Sequence, residues 1–290
     1  MPRKSLRVGR RINTLIFALV VGVFLTGTPP ASHAAPANDK VLVFGFLPIL
    51  STEKLVARFG PLVDYLSAKL GQPIRLETAP DYAEFVRRTN EDKRYDLLFT
   101  APHFYYLAQR QAGYRVIVRV AAPTMHAVIV APKSSGIKQL SDLRGRRIAT
   151  PDPLALGTVL IRDTLQKAGL DPDKDVTLVA TPSHNASLLS AQKGITDAAG
   201  LMVPPFRRAK PEVRDAMRIL ATTQGTPHMP ISVGTSLTAE QVRIVEQALL
   251  DLSQNENGRA LLKHLSWPGF AKTTPQEYDA IGWAVQQLQM

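Results

Sequence analysis

Residues 41–71 read VLVFGFLPILSTEKLVARFGPLVDYLSAKLG. The opening VLVFGFL is an unbroken apolar run, which suits a strand buried on both faces. From Glu53 onward the apolar residues fall at helical spacing, and the pattern stops at Gly71, a natural C-cap. A doubly buried strand passing within a few residues into a long helix is half of a β-α-β unit. That unit is the building block of a parallel sheet.

The same cycle continues along the chain. PIRLETA (73–79) reads as the next strand, and Asp81 can cap the helix DYAEFVRRTN. YDLLFT (95–100) is a third strand, leading into PHFYYLAQRQAG with Pro102 in its first turn. RVIVRVA (115–121) and HAVIVAP (126–132) follow as strands. A second round then begins. RRIAT (146–150), DVTLVA (175–180), TDAAGLM (196–202) and RILAT (218–222) read as strands. The segment running to Gly169, SHNASLLSAQKG (183–194) and PEVRDAM (211–217) read as helices. From Ser236 the tail reads as nearly all helical.

This pattern predicts an α/β fold of two lobes, each a mainly parallel sheet flanked by helices, with a cleft between them. Crossings near 121–128 and 222–232 make the first lobe discontinuous. It is expected to comprise 35–126 and 226–290, completed by the C-terminal helices, with 127–225 as the second lobe.

The first 34 residues read as a leader rather than as fold. Arg3, Lys4, Arg7, Arg10 and Arg11 form a basic start, Thr14 to Leu25 an apolar core, and Ser32-His33-Ala34 a small-x-small cleavage site. That apolar run of about a dozen residues falls short of the roughly 20 needed to span a bilayer. The expected mature start is Ala35, and the expected compartment is the periplasm. The sequence has no cysteine, which excludes disulfides, thiolate catalysis, thiolate metal sites and a lipidated cysteine anchor. Five of the 35 basic residues lie in the leader and none of the 24 acidic ones, leaving a balance of +6 on the remainder. A moderately basic exported protein suits anionic solutes or an anionic surface. Its cations are scattered and not interleaved with aromatics, so no nucleic-acid partner is expected.

In open parallel sheets ligands gather beyond the carboxyl ends of the strands, where helix N-termini present free amides. Four sets of residues occupy such positions: Ser51 and Thr52; Tyr82; Thr100, Ala101 and His103; and, in the second round, 151–158 with His184. One hydrogen bond to a charged partner contributes about 1.5–3 kcal/mol. A micromolar ligand needs about 8 kcal/mol, so four or five such loops suffice. Taken singly, Ser51, Thr52, Thr100 and Ser183 read equally well as helix caps. No Gly-x-Ser-x-Gly elbow, phosphate loop ending in Lys-Ser/Thr or His-Glu-x-x-His pair is present. Asp152, Asp197 and His184 are the one conceivable acid/base set, and their spacing does not favour it. The expectation is a binding protein, not an enzyme, with no cofactor or metal.

Six motifs in order then carry a resemblance. They are FGFLP with PLVDYLSAKLGQPI, DYAEFV, YDLLFTAPHFYYLA, VIVAPKSSGIKQLSDLRGRRIATPDP, SHNASLLSAQKGITDAA, and TPHMP. From about Val41 to Thr235 the chain resembles the phosphonate/phosphite/phosphate-type solute-binding proteins of ABC importers, a branch of the type 2 periplasmic binding fold. The resemblance implies ligand contacts from Ser51, Thr52, Tyr82, Thr100, Ala101, His103 and His184. It also implies an anion grip at the second-lobe helix start, here Gly157 and Thr158, and before the crossing strand, here at His126. The family's hydroxyl-rich run is replaced by Ala155-Leu156-Gly157-Thr158, and its Tyr-x-Ser by Met125-His126-Ala127. The expected ligand is therefore a small anion, less charged or more apolar than a phosphonate. The expected partner is an ABC permease or a membrane sensor kinase, and the protein is expected to be a monomer. Two other readings stay open. One is a soft-metal (copper) binder using Met125, His126, His228, Met229, Met202, His103 and His184; the other is an interaction protein whose cleft is filled by Leu154, Leu156 and Met125.

Overall fold

The computed structural model describes residues 40–286 and residue 288; the leader and the start at Ala35 lie outside them. The chain first lays down β1 (Leu42–Phe46), β2 (Ile74–Glu77) and β3 (Leu97–Phe99), with β2 and β3 both parallel to β1. Helices α1 (Thr52–Leu70) and α2 (Tyr82–Asn90) connect them, and α3 (Pro102–Ala112) leads on to β4 (Arg115–Val120). The chain then crosses into a second sheet. There β5 (Ala127–Pro132) is followed by β6 (Arg147–Thr150), α4 (Leu156–Lys167), β7 (Thr177–Ala180), α5 (His184–Gln192), β8 (Ala198–Met202), α6 (Val203–Arg208), α7 (Pro211–Asp215) and β9 (Met217–Thr222). It returns as β10 (Pro230–Val233), α8 (Ala239–Leu250), α9 (Glu256–Leu265), β11 (Phe270–Lys272) and α10 (Gly282–Gln286).

The strand orders are β11-β4-β10-β3-β1-β2 in the first sheet and β7-β6-β8-β5-β9 in the second. Two lobes, each a sheet with flanking helices, agree with the sequence expectation. The parallel character is narrower than expected. It holds for β1 to β3 and for β6 to β8, while β10, β11 and β4 are joined antiparallel, as are β5, β8 and β9. The reason is the return crossing, which feeds β10 between β3 and β4 in the reverse direction. The nearly all-helical tail also holds one strand, β11, that the sequence pattern did not single out. Its three residues are too few to carry a period, and the open edge of β4 supplies the pairing.

Helix α1 shows how the first lobe coheres. Its buried Leu55, Phe59, Leu62, Val63 and Leu66 form one face, and Phe59 stacks on Phe46 at 4.7 Å with Trp267 also against it. Gly71 ends the helix at φ 62°, returning its amide to Ser67. Pro61 lies inside α1 and cannot donate to the carbonyl of Ala57. That carbonyl is taken instead by His264 Nε2 of α9, at 3.1 Å. The returning helices α8 and α9 thus pack on the first lobe, burying Val245, Leu249, Leu262 and Leu265 in its core. The last helix bridges the lobes: α10 packs on both α3 and α4, and its Ala284 belongs to the second-lobe core.

The two crossing segments touch through one bridge. Met125 N–H donates to Thr226 O at 2.8 Å, and Thr226 N–H returns to Met125 O at 3.0 Å. His126 is part of this hinge. Its Nδ1 donates to Thr223 O at 2.9 Å and its Nε2 lies 2.9 Å from Thr124 Oγ1. A Cβ on Gly225 would lie 2.7 Å from the His126 ring, so the hinge requires glycine there.

Candidate functional site

Because β1, β2 and β3 run parallel, the N-termini of α1, α2 and α3 share one edge of the first sheet. The parallel β6, β7 and β8 do the same for α4, α5 and α6 in the second. The two edges meet. His103, in the first turn of α3, is fully buried, and its Nε2 lies 3.0 Å from the Leu154 carbonyl of the β6–α4 loop. A carbonyl only accepts, so Nε2 carries the proton and Nδ1 is left an acceptor, buried and without a partner. Burial pushes the pKa of this ring down to about 4, offset in part by the Leu154 bond.

The loop that meets it is tied by its own hydrogen bonds. Asp152 forms an Asx turn, accepting Leu154 N–H on Oδ1 at 2.7 Å and Ala155 N–H on its carbonyl at 2.9 Å. The apolar Leu-Ala-Leu run divides into three roles. Leu156 is buried in the second-lobe core. Ala155 is the N-cap of α4 and has no side-chain oxygen for capping. Leu154 alone packs across, onto the first-lobe cluster that contains Leu47, Ala101 and Phe104. Tyr82 packs on the same cluster, with its ring 6.0 Å from that of Phe104. Burial first, and the Asp152 carboxylate second, push its phenol up to about 12, so it stays a neutral donor.

Behind this contact is a second grouping. A Cβ added at Gly157 would touch His184 Cε1 and Met202 Sδ, each at 3.4 Å, so these three residues converge in the first turn of α4. His184 Nδ1 accepts Met202 N–H at 3.4 Å, which leaves Nε2–H as a donor. Burial, and then the positive charge of Arg208, push the His184 pKa down to about 4. The same arginine, after burial, also lowers Arg58 on α1 of the other lobe.

The remaining residues singled out from sequence are placed as follows. Ser51 is exposed at the N-cap of α1, and its hydroxyl makes no capping bond. Thr52 begins the helix and lines an open groove of about 430 Å³ with Val56, Thr78 and Arg88. Thr100 is fully buried with its hydroxyl unpartnered. Thr158 is buried and its hydroxyl donates to Pro151 O at 3.3 Å, so only its amide is left to donate. His126 has both ring nitrogens engaged in the hinge, away from any donor role. Asp81 and Ser183 are caps, bonding Glu84 N–H at 2.8 Å and Ala186 N–H at 3.2 Å. Asp197 precedes β8 at the opposite strand end and accepts Arg147 N–H, so it is about 17 Å of strand away from Met202 and His184. The conceivable acid/base set is thus not assembled. The Pro-Asp-Pro triplet marks the Asp152 turn in the sequence as well, and the structure adds its hydrogen bonds; sequence reasoning missed Arg208, for which no signal exists.

A family model for the periplasmic substrate-binding protein of phosphonate ABC transporters matches residues 44–278. The chain belongs to this family. It is a substrate-binding protein of the ABC phosphonate-transporter type, with the ligand place between its lobes, and its family is periplasmic and serves transport. Solved structures share the fold. A binding-protein component of an ABC phosphonate transporter from Pseudomonas aeruginosa is 20% identical over 87% of each chain, with a TM-score of 0.73. A Prochlorococcus marinus protein in complex with methylphosphonate is 18% identical, covering 87% of this chain and 99% of its own, at 0.75. A Xanthomonas citri protein bound to ATP is also 18% identical, covering 86% and 98%, at 0.74.

Proposed function

We propose that this chain captures one small phosphorus oxyanion between its lobes and delivers it to an ABC permease. Backbone amides at helix N-termini take the place of the missing hydroxyls, so this reading replaces the expectation of a ligand less charged than a phosphonate. Domain assignments of 35–126 with 226–290 and of 127–225 go with this reading. The observation that carries it is the meeting of two sheet edges at the His103–Leu154 hydrogen bond. Helix N-termini on both sides supply backbone donors there, with no peptide reorganisation. The proposed contacts are the Ser51 and Thr52 hydroxyls, the Tyr82 phenol, the amides at His103, Gly157 and Thr158, and His184 Nε2. Each charge-assisted bond contributes about 1.5–3 kcal/mol, so four or five account for micromolar affinity of about 8 kcal/mol.

The copper alternative loses support from the histidines themselves. His126 has both ring nitrogens bonded, His228 Nδ1 accepts Met229 N–H at 2.9 Å, and among the described residues no group of three or more His, Cys, Asp or Glu side chains gathers.

A thermal-shift screen of the chain from Ala35 with phosphate, phosphite, methylphosphonate, sulfate and copper(II) tests the reading. A ligand at a hundred times its Kd stabilises by about 2.7 kcal/mol. Stabilisation by a phosphorus oxyanion, lost in His184→Ala, is the expected result. Response to copper alone, or to none of the anions, refutes it.

A further inference from the structure

We infer that Leu154 limits the size of the substituent on a bound phosphorus oxyanion, so that longer alkyl phosphonates bind more weakly than methylphosphonate. This rests on the oxyanion reading above. Leu154 packs with Tyr82 on one first-lobe cluster and meets His103 through its carbonyl, and it stands three residues before the Gly157 that abuts His184. An organic group leaving an anion held at the α4 amides toward the first lobe meets this side chain.

The residue has little room to yield. Its amide is tied to Asp152 Oδ1 at 2.7 Å, and the next amide to the Asp152 carbonyl at 2.9 Å. Its own carbonyl is held by His103 at 3.0 Å, inside a first-lobe environment where His103 is fully buried. The side chain completes an apolar cluster with Leu47, Ala101 and Phe104. A longer substituent must displace the Leu154 side chain from that cluster. Leu156, two residues on, is a second-lobe core residue and serves as the internal contrast.

The test is isothermal titration of methylphosphonate and n-butylphosphonate into wild type, Leu154→Ala, Leu154→Met and Leu156→Ala. A pocket of this kind separates ligands by a methylene or more at roughly 10–200-fold. Wild type and Leu154→Met are expected to favour methylphosphonate by at least about 30-fold. In Leu154→Ala the ratio is expected to fall to about threefold or less, mainly by gain of butylphosphonate affinity. Leu156→Ala is expected to lower the melting temperature and keep the wild-type ratio. Equal affinities in wild type, or a Leu154→Ala that binds methylphosphonate but still rejects butylphosphonate, overturn the inference while leaving the oxyanion reading intact. Gain of affinity is the readout, so a merely unfolded variant cannot imitate it. Binding of neither probe to folded wild type overturns the reading beneath it, and this inference with it.

Discussion

His103 makes the fold acid-sensitive, and the size of the effect follows from its place. The imidazole is fully buried, and its pKa is pushed down to about 4 from the ordinary 6.5. Between those values the unfolded chain binds a proton at this residue and the folded chain does not. Stability contributed by the neutral ring is therefore complete above pH 6.5 and lost progressively as pH falls toward 4. At 1.36 kcal/mol per unit, lowering the pH from 7 to 4.5 removes about 2.7 kcal/mol through His103 alone. His184 and His228, each also pushed down to about 4 by burial and then by an arginine, act in the same direction. Urea unfolding followed by tryptophan fluorescence reads this, since Trp267 packs against Phe59 and Phe99 in the first-lobe core. His103→Gln keeps a donor for Leu154 and does not titrate. Its acid slope is expected to be shallower by about the His103 share, with stability at pH 7 within about 1.5 kcal/mol of wild type. A stability flat between pH 7 and 4.5, or an unchanged slope in His103→Gln, refutes the reasoning.

Three further outcomes are expected. Tyr82→Phe removes a neutral donor from the lobe junction and should weaken oxyanion binding about tenfold by titration calorimetry, with the melting temperature within a few degrees. Gly225→Ala forces a Cβ onto the His126 ring and should destabilise by about 1–3 kcal/mol in denaturant melts; Gly136→Ala, with open space around it, should not. His264→Ala should cost about 0.5 kcal/mol, the net worth of an exposed bond to the Ala57 carbonyl that water replaces. That cost should vanish in a Pro61→Ala background, where the helix supplies its own N–H; a double-mutant cycle with no coupling would sink the account.

Much of the fold was legible because its elements announce themselves locally. VLVFGFL, the α1 apolar face, Asp81, Gly71 and Ser183 each behave as their chemistry predicts. Strand direction was not legible beyond β1–β3 and β6–β8, because the sense of β10 depends on a return crossing. β11 escaped because it borrows its pairing from β4.

The site was readable as positions and not as partners. Thr158, His126 and Thr100 all fall where a ligand donor could. What differs is the third party: Pro151 for Thr158, Thr223 for His126, and none for Thr100. Thr223 lies 97 residues from His126, beyond any local pattern. Nor does the sequence tell Leu154 from Leu156. Two positions apart in one apolar run, they end in different lobes.

The place of β10 in the first sheet has a consequence for how the chain acquires its shape. β3 and β4 are consecutive strands that never pair; β10 stands between them. Until residues 230–233 arrive, the sheet is two fragments, each exposing a strand edge. All the residues of the other lobe must be made and threaded past before the gap closes. Such long-range pairing is slow and leaves sticky edges waiting. The nascent protein is therefore most vulnerable to wrong partners just before its last fifth emerges, and a holding chaperone would find its target in the bare edges of β3 and β4.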